Sequence, residues 1–277
     1  MIERPSTLQT RVVHRAGSPV RAYLHGPSQG PWVALTHGLS LDHHAFDAQV
    51  PALVDAGYRV LTWDVRGHGA SQPMGEGITI ERAAADLLAL LDAAEADRAV
   101  LVGQSFGGMI VQELATRHPE RVAGLVVIGA PALGDRPGAV MRALQRLRIK
   151  MVALWPDALL RRVFAAMVTR DPVVRDYVAI ATRQLPKSAF VATSAAAMDG
   201  HLRAEGAPTP GIPVLLLHGD REERPVARAM ARWEERDAPA RRVVVAGGHL
   251  VNQENPEDAN DVLLSFLDTT FAAERSQ

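Results

Sequence analysis

With 277 residues, the chain can bury one large core, with or without an inserted unit. A formal net charge of −1 excludes the basic field that draws proteins to nucleic acid or to anionic membranes. No apolar run approaches the ~18 residues of a membrane span. The absence of cysteine excludes disulfides, thiol catalysis and thiolate metal sites. The opening Met1-Ile-Glu-Arg-Pro-Ser6 lacks the apolar core of a signal peptide, so a cytoplasmic location is the expectation.

Along the chain, short β-branched runs alternate with longer helical patterns, the signature of a mostly parallel sheet flanked by helices. Strands are expected at Gln9–Arg15 and Val20–Leu24, joined as a hairpin through Gly17-Ser18-Pro19, and at Trp32–Thr36, Tyr58–Trp63, Ala99–Val102 and Val122–Ile128. Helices are expected at Phe46–Ala56, Ile80–Ala94 and Phe106–Arg117. The first of the long ones carries Ala84, Leu87, Leu88 and Leu91 on one face. From about Leu133 to Ala207 the alternation stops. Helical patterns at Ala139–Leu154, Ala158–Met167, Val173–Gln184 and Lys187–Ala197, punctuated by Pro156, Pro172 and Pro186, contain no strand. Strands resume at Val214–Leu217 and Arg242–Val245, with helices at Pro225–Arg236 and Pro256–Phe271. The expected organisation is a core of residues 1–133 and 208–277 with a helical cap, 134–207, over the carboxyl edge of the sheet, where α/β proteins bind ligands.

The densest chemical signal is Gly103-Gln104-Ser105-Phe106-Gly107, lying between an apolar strand and a helix. A turn that tight strains the backbone at Ser105 and lifts its hydroxyl above the sheet edge. The free N–H groups of the following helix then point at the same spot. Ser105 needs a base, and His249 in Gly247-Gly248-His249-Leu250 follows the last strand, where it can reach inward. The base needs an orienting carboxylate. Asp220, Glu222 and Glu223 all follow strand Val214–Leu217, so the chain order is serine, acid, histidine. An oxyanion needs two main-chain donors, assigned to Phe106 and, from the loop after the third strand, to Leu39. His37 is expected to brace that loop. His43 and His44 line the pocket entrance or are simply solvated. No histidine cluster has metal-ligand spacing.

Taken with the loop at His37-Gly38, the stretch Asp64-Val-Arg66-Gly67-His68-Gly69-Ala-Ser71 and the segment Gly248-His249-Leu-Val-Asn-Gln-Glu254-Asn-Pro256, the chain resembles the α/β-hydrolases over about residues 10–133 and 208–271. The likeness is strongest to their esterase, enol-lactonase and perhydrolase branch. The resemblance implies an eight-stranded, mostly parallel sheet, a helical cap, no cofactor and a small-molecule ester or lactone substrate. It also implies that epoxide-hydrolase and dehalogenase chemistry is excluded, because those relatives carry aspartate where Ser105 stands. Relatives commonly read Gly-x-x-Asp in the acid loop, with a proline soon after. Counting from Gly219 puts Glu222 at that position, with Asp220 as second choice. The expected reaction is acyl transfer through a Ser105 acyl-enzyme. Cofactor-free lyases or cyclases, and ligand receptors that keep the three residues, are alternatives on the same fold.

Residues 133–207 hold twelve Arg or Lys against six Asp or Glu. Arg142, Arg146 and Lys150 form one basic helix face. That face is expected to be solvated, with Leu144, Leu147 and Met151 turned to the pocket.

Overall fold

The computed structural model describes residues 9–133, 144, 147, 151, 153–201 and 211–275. Eight strands form one sheet: β1 (Gln9–Arg15), β2 (Ser18–His25), β3 (Trp32–Thr36), β4 (Arg59–Asp64), β5 (Ala99–Gln104), β6 (Val122–Ile128), β7 (Val214–Gly219) and β8 (Ala240–Val245). Their order across the sheet is β1-β2-β4-β3-β5-β6-β7-β8. β1 and β2 form the antiparallel hairpin, β2 pairs antiparallel with β4, and every later pairing is parallel. The central strands are covered on both faces and so read as unbroken apolar runs. The two-residue period divides them between two cores: Leu101 of β5 and Ala34 of β3 pack on one face, Val100 and Val102 with Val33 and Leu35 on the other.

Helices α2 (Ile80–Ala93) and α3 (Phe106–Arg117) cover the first face, together with Met230 and Trp233 of α7 (Arg224–Arg236). The long α9 (Pro256–Arg275) brings Leu263, Leu267 and Phe271 to the second, beside Leu53 of α1 (Gln49–Asp55). The expected helix Phe46–Ala56 is instead a 3₁₀ turn, His43–Phe46, followed by α1. Pro51 explains the late start. It has no N–H to donate and is tolerated in a first helical turn, not in a helix interior. Three strands run past their last apolar residue to Asp64, Gln104 and Gly219.

Between β6 and β7 stands the helical insertion: α4 (Asp157–Val168), α5 (Pro172–Gln184) and α6 (Lys187–His201). Leu160, Leu185, Ala189 and Phe190 form its own small core. Most of the expected helix Ala139–Leu154, with Met141, Arg142, Arg146 and Lys150, lies outside the described residues. Leu144, Leu147 and Met151 are each more than half exposed. They do not face the pocket, which Phe164 and Val168 of α4 line instead. No helix among the described residues is long and apolar enough to cross a membrane.

Candidate active site

Three loops at the carboxyl edge of β5, β7 and β8 converge. Ser105 follows β5 directly and holds φ 52°, ψ −113°, a left-handed conformation that side-chain-bearing residues rarely adopt. Its N–H donates to the Ile128 carbonyl at 2.8 Å, which pins the turn to β6. The turn also needs an unusually close approach at Gly107, where a Cβ would stand 2.1 Å from the Thr36 carbonyl oxygen. Ser105 occupies the N-cap of α3 without using its hydroxyl as a cap, so that hydroxyl is free for other chemistry.

The Ser105 Oγ lies 3.0 Å from His249 Nε2. On the other side of the ring, His249 Nδ1 lies 2.9 and 3.0 Å from the two carboxylate oxygens of Glu222. Donation from Nδ1–H to the carboxylate fixes the tautomer and leaves Nε2 to accept the serine proton. The Glu222 side chain is fully buried and that of His249 is 19% exposed. Burial by itself disfavours the imidazolium. The hydrogen bond and charge of Glu222, with smaller help from Glu223 and Glu254, outweigh it and raise the His249 pKa above 6.5. Gly129, at the end of β6 with φ +59°, makes room for this pair. A Cβ there would meet Glu222 Oε2 at 2.9 Å and His249 Nδ1 at 3.2 Å.

The other two carboxylates of the acid loop go elsewhere. Asp220 is about half exposed, and its Oδ1 accepts the Gly247 N–H at 3.0 Å. It ties the acid loop to the loop of His249 without touching the ring. Glu223 is exposed and precedes α7 as its N-cap, its N–H donating to Glu222 Oε1 at 2.8 Å.

Of the expected oxyanion donors, Phe106 follows Ser105 at the start of α3 and Leu39 lines the same cavity as the serine, and neither N–H donates to an acceptor among the described residues. The Leu39 loop is held from beneath by two buried histidines. His37 donates from Nδ1 to the Gly38 carbonyl at 2.8 Å and accepts the Val65 N–H at 2.9 Å. His68 Nδ1 pairs with the Arg66 carbonyl, and its Nε2 accepts the Ser40 N–H. Burial keeps both rings neutral, lowering the pKa of His37 and pushing that of His68 down to about 3. His37 therefore braces the loop, as expected. Neither His43 nor His44 lines the pocket. His43 stacks on Tyr23 at 3.9 Å and pairs with Asp64 at 2.9 Å, while the exposed His44 pairs with Asp47. The stretch from Asp64 to Ser71 is structural: Asp64 accepts from His43, Tyr23 and Ala70, and Arg66 forms a fully buried bidentate pair with Asp86 at 2.6 Å.

Above Ser105 and His249 lies a cavity of about 160 Å³. Its walls are apolar: Leu39, Leu41 and Leu250 from the core, Phe164 and Val168 from the cap, with Gln104 contributing a polar side chain. A cavity of about 150 Å³ with such walls can hold a benzene-sized group. Among the described residues no group of His, Asp and Glu is arranged to hold a metal ion. Sequence reasoning missed Gly129, whose close-approach role depends on a partner remote in the chain. It also missed Val168, while Phe164 was open to either reading, an apolar wall for the substrate or cap core.

A family model described as alpha/beta hydrolase fold matches residues 31–256, and the chain belongs to that family. Epoxide hydrolase A of Mycobacterium tuberculosis is 40% identical over 125 residues, a stretch that covers 44% of this chain and 39% of that protein. The chain thus spans about two fifths of that relative's length. A putative non-heme chloroperoxidase of Synechocystis sp. is 29% identical over 262 residues, covering 88% of this chain and 94% of the relative. Among solved structures, the enol-lactonase of Burkholderia xenovorans LB400 matches with a TM-score of 0.73 at 27% identity, covering 93% of this chain and all of the other.

Proposed function

We propose that the protein is a serine hydrolase that cleaves a small, largely apolar carboxylic ester or lactone through an acyl-enzyme. The observation that carries this reading is the continuous relay from the Ser105 hydroxyl through His249 to the buried Glu222, opening on an apolar cavity. His249 takes the serine proton as Oγ attacks the carbonyl carbon. The N–H groups of Leu39 and Phe106 receive the oxyanion, and Glu222 stabilises the imidazolium. His249 then protonates the departing alcohol and activates water to release the acid.

Elementary chemistry favours an ester over the epoxide of the mycobacterial relative. A carboxylate that opens an epoxide forms an ester, which water can cleave. A serine that opens an epoxide forms an ether, which this relay has no means to hydrolyse. The residue at position 105 is serine, and that supports the acyl-transfer reading.

The test is turnover of short p-nitrophenyl esters and simple lactones by the wild type and by Ser105→Ala, in heavy-oxygen water. The expected result is one heavy oxygen in the released acid and loss of activity by about 10⁶-fold in the variant. Product without heavy oxygen would point to a lyase or cyclase, and undiminished turnover by Ser105→Ala would overturn the reading.

A further inference from the structure

Glu254 closes α8 (Val251–Glu254), a few residues beyond His249, and takes no part in the serine–imidazole–carboxylate relay. Its side chain is only 3% exposed. A carboxylate is costly to bury unless its oxygens are satisfied, and the partners that satisfy this one are informative. Oε2 accepts the Gly248 N–H at 2.6 Å. Oε1 accepts the hydroxyl of Thr169 at 2.7 Å. The Arg221 guanidinium lies 3.5 Å from Oε2. Each partner belongs to a different part of the site. Gly248 immediately precedes His249, and Arg221 immediately precedes Glu222. Thr169 caps the end of α4, the helix that carries Phe164 and Val168 over the cavity. Thr169 is itself buried, and its oxygen also accepts the Asp171 N–H at 3.1 Å, which fixes the turn into α5. The end of the cap helix and the loop of His249 therefore meet on one carboxylate.

We propose that Glu254 is a positioning residue that couples the cap to the base, so that the reach of His249 to Ser105 and the height of the cavity roof are set together. The proposal rests on the serine-hydrolase reading only for its kinetic consequences. The mechanical coupling stands by itself. The coupling is geometric: in Glu254→Gln the amide oxygen can still accept from Gly248, and the amide nitrogen can donate to the Thr169 oxygen. In Glu254→Ala both partners are left buried without their acceptor. Thr169→Val cuts the cap arm, together with the Asp171 N–H bond at the same oxygen, leaves the Gly248 arm in place and keeps the volume of the side chain.

The experiment is amide hydrogen exchange on the full chain, followed peptide by peptide over α4 and over the loop 246–251, in the wild type, Glu254→Gln, Glu254→Ala and Thr169→Val. Coupling predicts that Thr169→Val accelerates exchange not only at the end of α4 but also across the bridge in the loop of His249. It further predicts that Glu254→Ala accelerates both segments and that Glu254→Gln restores both. Kinetics on p-nitrophenyl acetate and hexanoate supply the second readout. Glu254→Ala is expected to lose up to about 10²-fold in kcat. Thr169→Val is expected to lose discrimination between the two acyl lengths by about tenfold, chiefly through KM. If Thr169→Val loosens only its own segment, or if Glu254→Gln behaves like Glu254→Ala, the proposal is overturned. Should Glu254→Ala not fold, Thr169→Val decides through exchange alone. A protein that shows the exchange coupling but hydrolyses no ester would sink the hydrolase reading and leave the coupling standing.

Discussion

Replacing Glu222 with glutamine isolates the role of the buried carboxylate. The side chain keeps its size and loses its charge, beside a ring nitrogen 2.9 Å away. Two consequences follow from the geometry. An amide NH₂ turned toward Nδ1 demands the tautomer in which Nδ1 accepts, and Nε2–H then faces the serine with no lone pair for its proton. An amide oxygen turned toward Nδ1 keeps the tautomer but leaves the imidazolium without its counter-charge. In a relay of this type the equivalent change costs about 10⁴-fold in kcat, or about 5 kcal/mol of barrier. The second consequence is a displaced pH profile. His249 must be neutral to act as base, so kcat/KM rises with pH through its pKa. In the wild type burial opposes protonation but Glu222 outweighs it, placing the midpoint above 6.5. Without that charge burial is opposed only by the smaller effects of Glu223 and Glu254, and the midpoint moves down. The assay is p-nitrophenyl ester hydrolysis from about pH 5 to about pH 9, with Asp220→Asn as the control. Asp220 is about half exposed and its Oδ1 meets the Gly247 N–H at 3.0 Å and the Arg221 guanidinium at 3.6 Å but not the His249 ring, so its loss is expected to cost less than tenfold. Glu222→Gln activity within tenfold of the wild type, or a larger loss in Asp220→Asn, would refute the reasoning.

Gly107→Ala drives a methyl to 2.1 Å from a main-chain oxygen that cannot move aside. It should cost at least about 3 kcal/mol in urea unfolding, and a wild-type midpoint would contradict the packing. Asp64 is buried, which raises its pKa, yet the His43 hydrogen bond and charge, with His37 and the Ala70 N–H, outweigh burial and hold it at about 2. Its contribution of about 2 kcal/mol is present above the unfolded pKa and lost as pH falls through the folded one. Asp64→Asn should therefore melt lower at neutral pH, with the gap closing between about pH 4 and about pH 2; a gap independent of pH would count against this. Phe164→Ala removes part of the roof of the 160 Å³ cavity and should move the preferred acyl chain toward longer esters, by about tenfold in relative kcat/KM. An unmoved preference would show that the acyl group sits elsewhere.

The relay was legible in the chain because each member sits at a strand end: glycines surround Ser105 and precede His249, while the residues alone left three carboxylates open and only the resemblance to the α/β-hydrolases, counted from Gly219, favoured Glu222 over Asp220. The sheet was legible because strands buried on both faces cannot hide their apolar runs. Strand limits were harder to read at the functional edge. Apolar content stops at Trp63, Val102 and Leu217, while pairing geometry carries the strands on to Asp64, Gln104 and Gly219. The polar residues that look like loop are the last residues of the sheet. What escaped sequence reasoning altogether depends on contacts between distant segments. Glu254 belongs to a segment that carries the family resemblance, and nothing in the sequence shows what it does until Thr169 is brought against it. Leu144, Leu147 and Met151 read as an inward face, yet α4 fills that role.

The central claim is that Ser105 is an activated nucleophile. Mass spectrometry of peptides after reaction with a serine-directed phosphonate tests it most directly. Stoichiometric adduct on the Ser105 peptide is expected in the wild type, with labelling slowed by orders of magnitude in His249→Gln and abolished in Ser105→Ala. Folded wild-type protein that stays unlabelled, or that labels as fast without the imidazole, would contradict the account.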